Sequence, residues 1–416
     1  MRDVSFSRDA GWIADCLKPP PRNLRTAEWA ERYRKVFLTS SPGEWKNSTN
    51  PMLVPIMELL DDPTIREVAL KKAVQTGGSE TARNWIARLA HTAGRCPAML
   101  ILPDAKSGRK LIKKYWRPVL SGKEVASLRE HRSPRKSDNT LENIALLTGF
   151  DLQLGYSGSA QSLASEPRKI AVLDETDKFK DWDAREAEPV DLVRRRLTTF
   201  DETSKLYALS TPTTPEGQIN QLFEASDFKM FPFVACPKCG RPVQLVFTNL
   251  NYELPDKKTL PDNKDRAKLL RLEPDRVYLK CPACDHKIHE RERKHLLHTG
   301  FFATTDQQFR ICVDGRRFGT KPPGSKVGVH LPALASAVGD GMVAIAARWV
   351  EAQGIPHKIQ DCKNNDQGEP FQWDLIKPNA GDLHKKCRPD PETGWKPPKA
   401  RLIPGWATRL IMTVDT

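Results

Sequence analysis

Lys72-Ala73-Val74-Gln75-Thr76-Gly77-Gly78-Ser79 is the stretch whose reading decides the fold. An apolar run, Val68-Ala69-Leu70, precedes it, and Ala82, Trp85, Ile86, Leu89 and Ala90 follow at helical spacing. A strand, a glycine-bearing turn and a helix, in that order, set backbone amides and a helix N-terminus where phosphates are held. The usual phosphate-binding pattern is G-x-x-x-x-G-K-[ST]. Gly77 and Ser79 fit its second glycine and its hydroxyl, whereas Gly78 stands in the lysine slot and Lys72 in the slot of the first glycine. Phosphoryl transfer needs a cation near the β- and γ-phosphates, and a lysine at the start of the loop can reach back across it to that place. Ser79 is expected to ligate Mg²⁺, and Gly77 and Gly78 to permit close backbone approach. Taken alone, the stretch reads equally well as a Gly-Gly helix cap.

Further along, Ala98–Leu102, Ile170–Leu173 and Leu206–Leu209 read as buried strands. Strands alternating with helical periodicity predict an α/β protein, a parallel sheet flanked by helices. The third strand ends in two acids. Asp174 at its edge is expected to hold Mg²⁺, and Glu175 to polarise the attacking water. Such a pair gains meaning downstream of a phosphate loop, because both would have to meet at neighbouring strand ends. Ser210-Thr211-Pro212-Thr213 follows the next strand, where a polar cluster can sense the γ-phosphate. Read without that context, it is a proline-stopped strand.

The chain has 416 residues and a formal net charge of +14, an excess that favours a polyanionic partner. Four of its nine cysteines form two C-P-x-C pairs, Cys236/Cys239 and Cys281/Cys284. Four thiolates on two such turns suit a tetrahedral, structural Zn²⁺. His286 and His289 lie close by, but four sulfurs already complete the shell. No run approaches the roughly 18 apolar residues of a membrane span. The N-terminus has no signal-peptide core, so a cytoplasm is the expected compartment.

In their order along the chain these pieces resemble the lambda-type (GpA-like) phage terminase large subunit family. The resemblance is carried by Gly43-Glu44-Trp45 with Asn50-Pro51 and Ile56-Met57-Glu58, by Lys72 to Glu80, and by Leu102-Pro103-Asp104. It continues through Ser157 to Pro167-Arg168, Asp174-Glu175-Thr176-Asp177, Ser210 to Thr213, the cysteine pairs, Val329-His330-Leu331 and Gly368-Glu369-Pro370. The resemblance implies a RecA/ASCE-like P-loop ATPase core that drives double-stranded DNA into a procapsid. It implies ATP as substrate, a portal protein and a small terminase subunit as partners, a homo-oligomeric ring on the portal, and the host cytoplasm. Trp45, Gln75, Thr76 and Glu80 match positions near the nucleotide, as do Ser210 and Thr211. Arg109 and Arg117 are candidates for an arginine acting on a neighbouring subunit; either reads equally as part of a solvated basic helix face, or of one turned to DNA.

The expected organisation is an N-terminal segment (1–40), an ATPase core (41–235), a zinc-ribbon insertion (236–295), and a remaining ATPase/linker subdomain, largely helical, with a Pro- and Lys-rich tail (296–400). Residues 401–416 read as the start of an RNase H-like nuclease domain whose first acid is Asp415. Two-metal chemistry needs several carboxylates, so the nuclease domain is expected to be missing and the chain not to cut DNA. Two other classes stay open. A helicase-type ATPase should show a second RecA-like half, which is not found after Cys284. A non-enzymatic zinc-ribbon DNA-binding protein would have a decayed loop, for which Gly78 is the argument.

Overall fold

The computed structural model describes residues 24–38, 42–125, 128, 140, 142–159, 163, 166–179 and 188–372. The chain divides into two units, Met1–Phe371 and Gln372–Thr416. The Lys377–Pro404 tail, the strand expected at Leu410–Asp415, and Cys16 and Cys387 lie outside the described residues.

A 12-stranded sheet organises the first unit. Its strands are β1 (Glu67–Lys72), β2 (Cys96–Leu102), β3 (Asn143–Ala145), β4 (Phe150–Tyr156), β5 (Ile170–Asp174), β6 (Lys205–Ser210), β7 (Phe228–Ala235), β8 (Pro242–Gln244), β9 (Phe301–Thr304), β10 (Arg310–Cys312), β11 (Arg317–Phe318) and β12 (Lys326–Leu331). The order across the sheet is β11-β10-β9-β7-β12-β1-β6-β5-β2-β4-β3, with β8 paired to β7. From β7 to β4 every neighbouring pair is parallel; the outer pairs are antiparallel.

The central strands are apolar on both faces because both are covered. Val68, Leu70, Val172, Tyr207 and Leu209 join one core, while Ala69, Ala171, Leu173, Leu206 and Ala208 join a second. This is the period-two alternation of a strand, each side chain going to the opposite layer from its neighbour. The first layer is filled by helices α1 (Thr26–Tyr33), α2 (Leu53–Asp61) and α3 (Gly78–Thr92), with Trp29, Ile56, Trp85 and Ile86 fully or almost fully buried. Beyond β2 runs α4 (Ala105–Leu111), which continues through a π-helical turn, Ile112–Trp116, to Leu120. The second layer is built from α5 (Pro189–Leu197) and α6 (Gln218–Glu224).

A small three-stranded sheet, Leu250–Tyr252, Val277–Lys280 and Lys287–Ile288, follows the first cysteine pair. With it go α7 (Asn263–Leu272) and α8 (Glu290–Leu296); after β12 come α9 (Met342–Ala352) and α10 (Pro356–Asp361).

Two features differ from the sequence reading. The strands carrying Lys72 and Asp174 are not neighbours, since β6 lies between them and pairs with both. And part of the stretch expected as a helical linker is sheet. Lys326–Leu331 enters the centre as β12, parallel to β1 on one side and β7 on the other. Its run Val327-Gly328-Val329-His330-Leu331 is buried throughout, as a central strand requires.

Candidate nucleotide site

The C-terminal ends of β1, β5 and β6 come together at one edge of the sheet. After Lys72 the chain turns through Gln75 (φ 56°) and Gly77 (φ 87°) into α3. Gly77 sits in the left-handed region, where a side chain is costly. Asn50 holds the turn from outside, donating from Nδ2 to the Thr76 carbonyl at 2.9 Å. Thr76 Oγ1 donates to the Ala73 carbonyl at 3.0 Å.

The Lys72 side chain lies back across the loop, buried, and its Nζ reaches Glu175 Oε1 at 3.0 Å. Gly78 permits it: a Cβ there would lie 2.5 Å from Lys72 Cδ and 3.1 Å from Leu70 Cδ2. Gly78→Ala should therefore push Lys72 out of line and slow, about tenfold or more, any phosphoryl transfer that uses the lysine. A Gly78→Ala protein as active as wild type would show that the lysine has no need of this path.

Ser79 Oγ donates to Asp174 Oδ1 at 3.3 Å. Two oxygens on neighbouring corners of an octahedral Mg²⁺ stand about 2.9 Å apart, given bonds of 2.0–2.1 Å. The pair therefore fits around one such ion with little movement. Burial pushes the Asp174 carboxyl up, against the pull of Lys72, and the Glu175 charge adds to the rise. Burial pushes Glu175 up too, but Lys72 and Lys178 outweigh it and hold that carboxyl below its ordinary range. The two adjacent acids are thus driven apart, Asp174 upward and Glu175 downward.

A cavity of about 930 Å³ opens in front of the loop. Lys72, Gln75, Thr76, Gly77, Gly78, Ser79 and Glu80 line it on one side, Trp45 and Phe37 on another. Asp174 and Glu175 do not line it themselves but are bonded to two residues that do, Ser79 and Lys72. Trp45 is fixed by its Nε1 donating to Asn47 Oδ1 at 2.8 Å, with the Arg34 guanidinium 5.4 Å from its ring.

Ser210 and Thr211 do not line this cavity. Ser210 Oγ accepts from the Asp177 amide at 3.2 Å, and Thr211 lines a smaller cavity of about 260 Å³ beside Lys178 and His357. Asp177 ties the region together, accepting from Thr213 N at 2.7 Å and from Ile219 N, at the start of α6, at 2.6 Å. Arg109 and Arg117 lie on the α4 segment and do not line the large cavity. Arg109 pairs with Glu142 at 3.2 Å, both half exposed, and Arg117 donates to the Thr140 carbonyl at 2.5 Å. Lys114 and Tyr115 of the same segment reach the cavity instead.

Away from this site, the Sγ atoms of Cys236, Cys239, Cys281 and Cys284 all lie within 4.8 Å of one another. Cys236–Cys284 and Cys239–Cys281 are each 3.7 Å apart. Four sulfurs 2.3 Å from one Zn²⁺ stand about 3.8 Å apart in a tetrahedron. The two turns are built alike, with Gly240 (φ 71°) and Asp285 (φ 55°) donating their amides to the Cys236 and Cys281 carbonyls. His286 pairs with Glu292, and His289 caps α8; neither joins the cluster.

Residues 39–301 match the model of the family described as phage terminase large subunit gpA, ATPase domain. The chain belongs to the phage terminase large subunit gpA family. ATP is the substrate that this ATPase domain implies. A second family model, terminase large subunit gpA, endonuclease domain, matches residues 326–416. This overturns the expectation that the nuclease domain is missing and that the chain should not cut DNA. That expectation looked for nuclease sequence only from residue 401 onward and for its acids beyond Thr416, whereas the matched stretch of this terminase begins at Lys326. Its first residues are β12, already paired with β1 in the ATPase sheet. Among solved structures, the HK97 bacteriophage large terminase is 15% identical with a TM-score of 0.37, covering 48% of this chain and 40% of that one. The ATPase domain of the Thermus phage P74-26 large terminase, in two structures, is 13% and 12% identical with TM-scores of 0.29 and 0.28, covering 38% of this chain and 64% of each. The terminase chain thus spans about 40% of the HK97 protein's length. No curated protein matches. Among the described residues no helix is long and apolar enough to cross a membrane.

Sequence reasoning missed four things in this terminase's site. Arg83 is a buried charge in the cavity wall and Arg34 a buried charge paired with the lining Glu80, and isolated arginines carry no motif. The roles of Asn50 and Asp177 as clamps also went unread, although both stood in the stretches that carried the resemblance. A further segment packs beneath the loop. Val74 N donates to the Asn365 carbonyl at 3.0 Å, Gly368 lies against Lys72 and Ala73, and Phe371 N donates to the Thr213 carbonyl at 2.9 Å. Glu369 binds Lys71 at 2.7 Å and His330 at 3.2 Å.

Proposed function

We propose that this chain is an ATP-hydrolysing motor subunit that drives double-stranded DNA into a procapsid, with a DNA-cutting function in its endonuclease-matched region. The observation that carries the reading is that Lys72 and Ser79, which line one large cavity, are paired directly with Glu175 and Asp174. Lys72 would turn from Glu175 to the β- and γ-phosphates, neutralising them as charge moves to the leaving group. Glu175, its carboxyl held below the ordinary range, would then be free to take a proton from the attacking water. Ser79 and Asp174 would hold Mg²⁺, which when bound screens the phosphate oxygens. The loop amides and the α3 N-terminus would cradle the phosphate chain, Gln75, Thr76 and Glu80 would flank it, and Trp45 offers a ring for the base.

Ser210 and Thr211, tied to the loop after β5 through Asp177, would report the state of the γ-phosphate. Arg109 and Arg117 stand on the outer side of α4, where a neighbouring subunit of a ring could receive one of them. In this reading the sheet is a RecA/ASCE-like P-loop core, preceded by the segment 1–40, built mainly from 41–235 and completed by strands between 301 and 331. Residues 236–295 are an inserted ribbon held by Zn²⁺, and the RNase H-like part falls in the endonuclease-matched stretch 326–416, whose first residues are still paired in the ATPase sheet. A portal protein, a small terminase subunit and DNA are the partners, in the host cytoplasm, and the basic net charge favours the DNA.

ATP hydrolysis by the full chain, with and without DNA, tests this. Wild type should hydrolyse ATP, and Glu175→Gln should lose roughly a hundredfold or more while still binding nucleotide. A wild type that neither binds nor hydrolyses ATP, with DNA and portal supplied, would end the motor reading.

A further inference from the structure

Glu80 follows Ser79 directly, in the first turn of α3, and lines the cavity. A carboxylate there opposes a polyanion. Two buried guanidiniums bracket it. Arg34, next after α1, meets one of its oxygens, and Arg83, one turn further along α3, meets the other. Arg34 is locked from several sides, by Glu80, Asn84 and Glu124. Arg83 is held more lightly. Its guanidinium lies 4.6 Å from the Tyr115 ring centre, its Nη1 meets Glu80, and its Nε has no partner among the described residues. It lines the cavity itself and is close enough to Asp174 for each to alter the other's titration. Burial, with Arg34 nearby, lowers Arg83 to about 10, which still leaves it charged at neutral pH.

A guanidinium is the group best suited to forked bonding with phosphate oxygens. An arginine in the wall of a phosphate cavity, held by one carboxylate and one ring, is a cation in reserve. We propose that Arg83 contacts the nucleotide phosphates in the same chain, and that Glu80 holds it aside until nucleotide enters. The inference rests on the nucleotide reading above and names a contact for it. It also separates two jobs: an arginine acting on a neighbour would lie on the outside of α4, whereas Arg83 faces the chain's own cavity.

Equilibrium binding of mant-ATP with Mg²⁺ to the full chain tests it. Arg83→Met should weaken binding by about tenfold or more, the usual loss of a charged hydrogen bond. Arg83→Lys should restore part of it, keeping the charge but not the fork. Glu80→Gln should tighten binding severalfold, because it frees the guanidinium and removes an opposing charge. A merely structural arginine predicts the opposite sign for Glu80→Gln, since both changes would break the same ion pair and weaken binding together. Arg83→Met binding within about twofold of wild type, or Glu80→Gln binding more weakly than wild type, would overturn the proposal. Should Arg83→Met fail to fold, the near-isosteric Glu80→Gln decides by its sign. If wild type binds no mant-ATP, the nucleotide reading itself falls. If wild type binds, Lys72→Ala does not and Arg83→Met does, this inference alone falls.

Discussion

Lys72→Ala is expected to lower ATP hydrolysis by roughly a hundred- to a thousandfold, the usual scale for removing a preorganised charge from a transition state. The structure adds a second consequence. Lys72 is also the buried partner of Glu175 at 3.0 Å and the largest charge opposing the burial of Asp174. Without it two adjacent carboxylates are left with Lys178, mostly exposed, on Glu175 and the more distant Arg83 toward Asp174. The variant should therefore be less stable at neutral pH. The deficit should fall short of the roughly 3–5 kcal/mol of a fully buried broken pair, because Glu175 keeps some contact with water.

The sign of the pH dependence follows from Glu175, whose carboxyl is held below its ordinary range in the folded chain. Its stabilisation is present above the unfolded value, about 4.3, and is lost as pH falls through the lower folded value. The stability gap between wild type and Lys72→Ala should thus be full at neutral pH and shrink on acidification below about 4. The double variant Lys72→Ala/Glu175→Gln should recover part of the stability, having lost the like-charge repulsion, and none of the hydrolysis. Denaturant melts across pH, with phosphate release, read both. Lys72→Ala hydrolysing at the wild-type rate would remove the lysine from the chemistry.

Chelation of zinc, or Cys281→Ser, is expected to produce the largest loss of structure in the chain. A structural zinc contributes an apparent 10–16 kcal/mol in small isolated sites. The ribbon has little else to rely on. Its three short strands bury Leu250, Val277, Leu279 and Ile288 against Ala267 and Leu270 of α7. That small core continues onto α9 through Met342, Ile345 and Ala346, and Phe247 meets Trp349 with ring centres 4.9 Å apart. Cys236 directly follows β7, which pairs with β12 beside the lysine strand. Loss of the metal should open 236–295 to protease first and then lower the melting temperature of the whole unit. Metal analysis should find one Zn²⁺ per chain in wild type and none after Cys281→Ser. Wild type free of metal yet resistant to protease across 236–295 would show that the four thiols fold the ribbon unaided.

The local pieces of the site were legible because each is written within a few residues. The Lys72–Ser79 loop, the acids after Ile170–Leu173 and the cysteine turns are short-range patterns whose chemistry follows from their spacing. The helical stretch Ala82–Ala90 and the strand at Leu206–Leu209 were legible through periodicity. What went unread depends on partners far away in the chain. Arg34 meets Glu80 across 46 positions, Asn50 meets Thr76 across 26, and Glu369 meets Lys71 across 298. None of these pairs has a spacing rule, since an ion pair or a buried amide bond requires proximity in space and nothing of sequence.

By itself, then, the amino-acid order determined several of the strands and helices, that a glycine-bearing turn would join the strand ending at Lys72 to the helix after it, and that four thiols would gather. Hydrophobic periodicity and turn chemistry act over a few residues, so they can be read along the chain. Tertiary structure alone decided that β6 would slot between the lysine strand and the acid strand. It alone brought Lys326–Leu331 into the middle of the sheet and set Arg34 and Arg83 on either side of Glu80. Those outcomes come from which apolar faces find each other and which buried charges find a counter-ion, and both are settled only when the whole core closes.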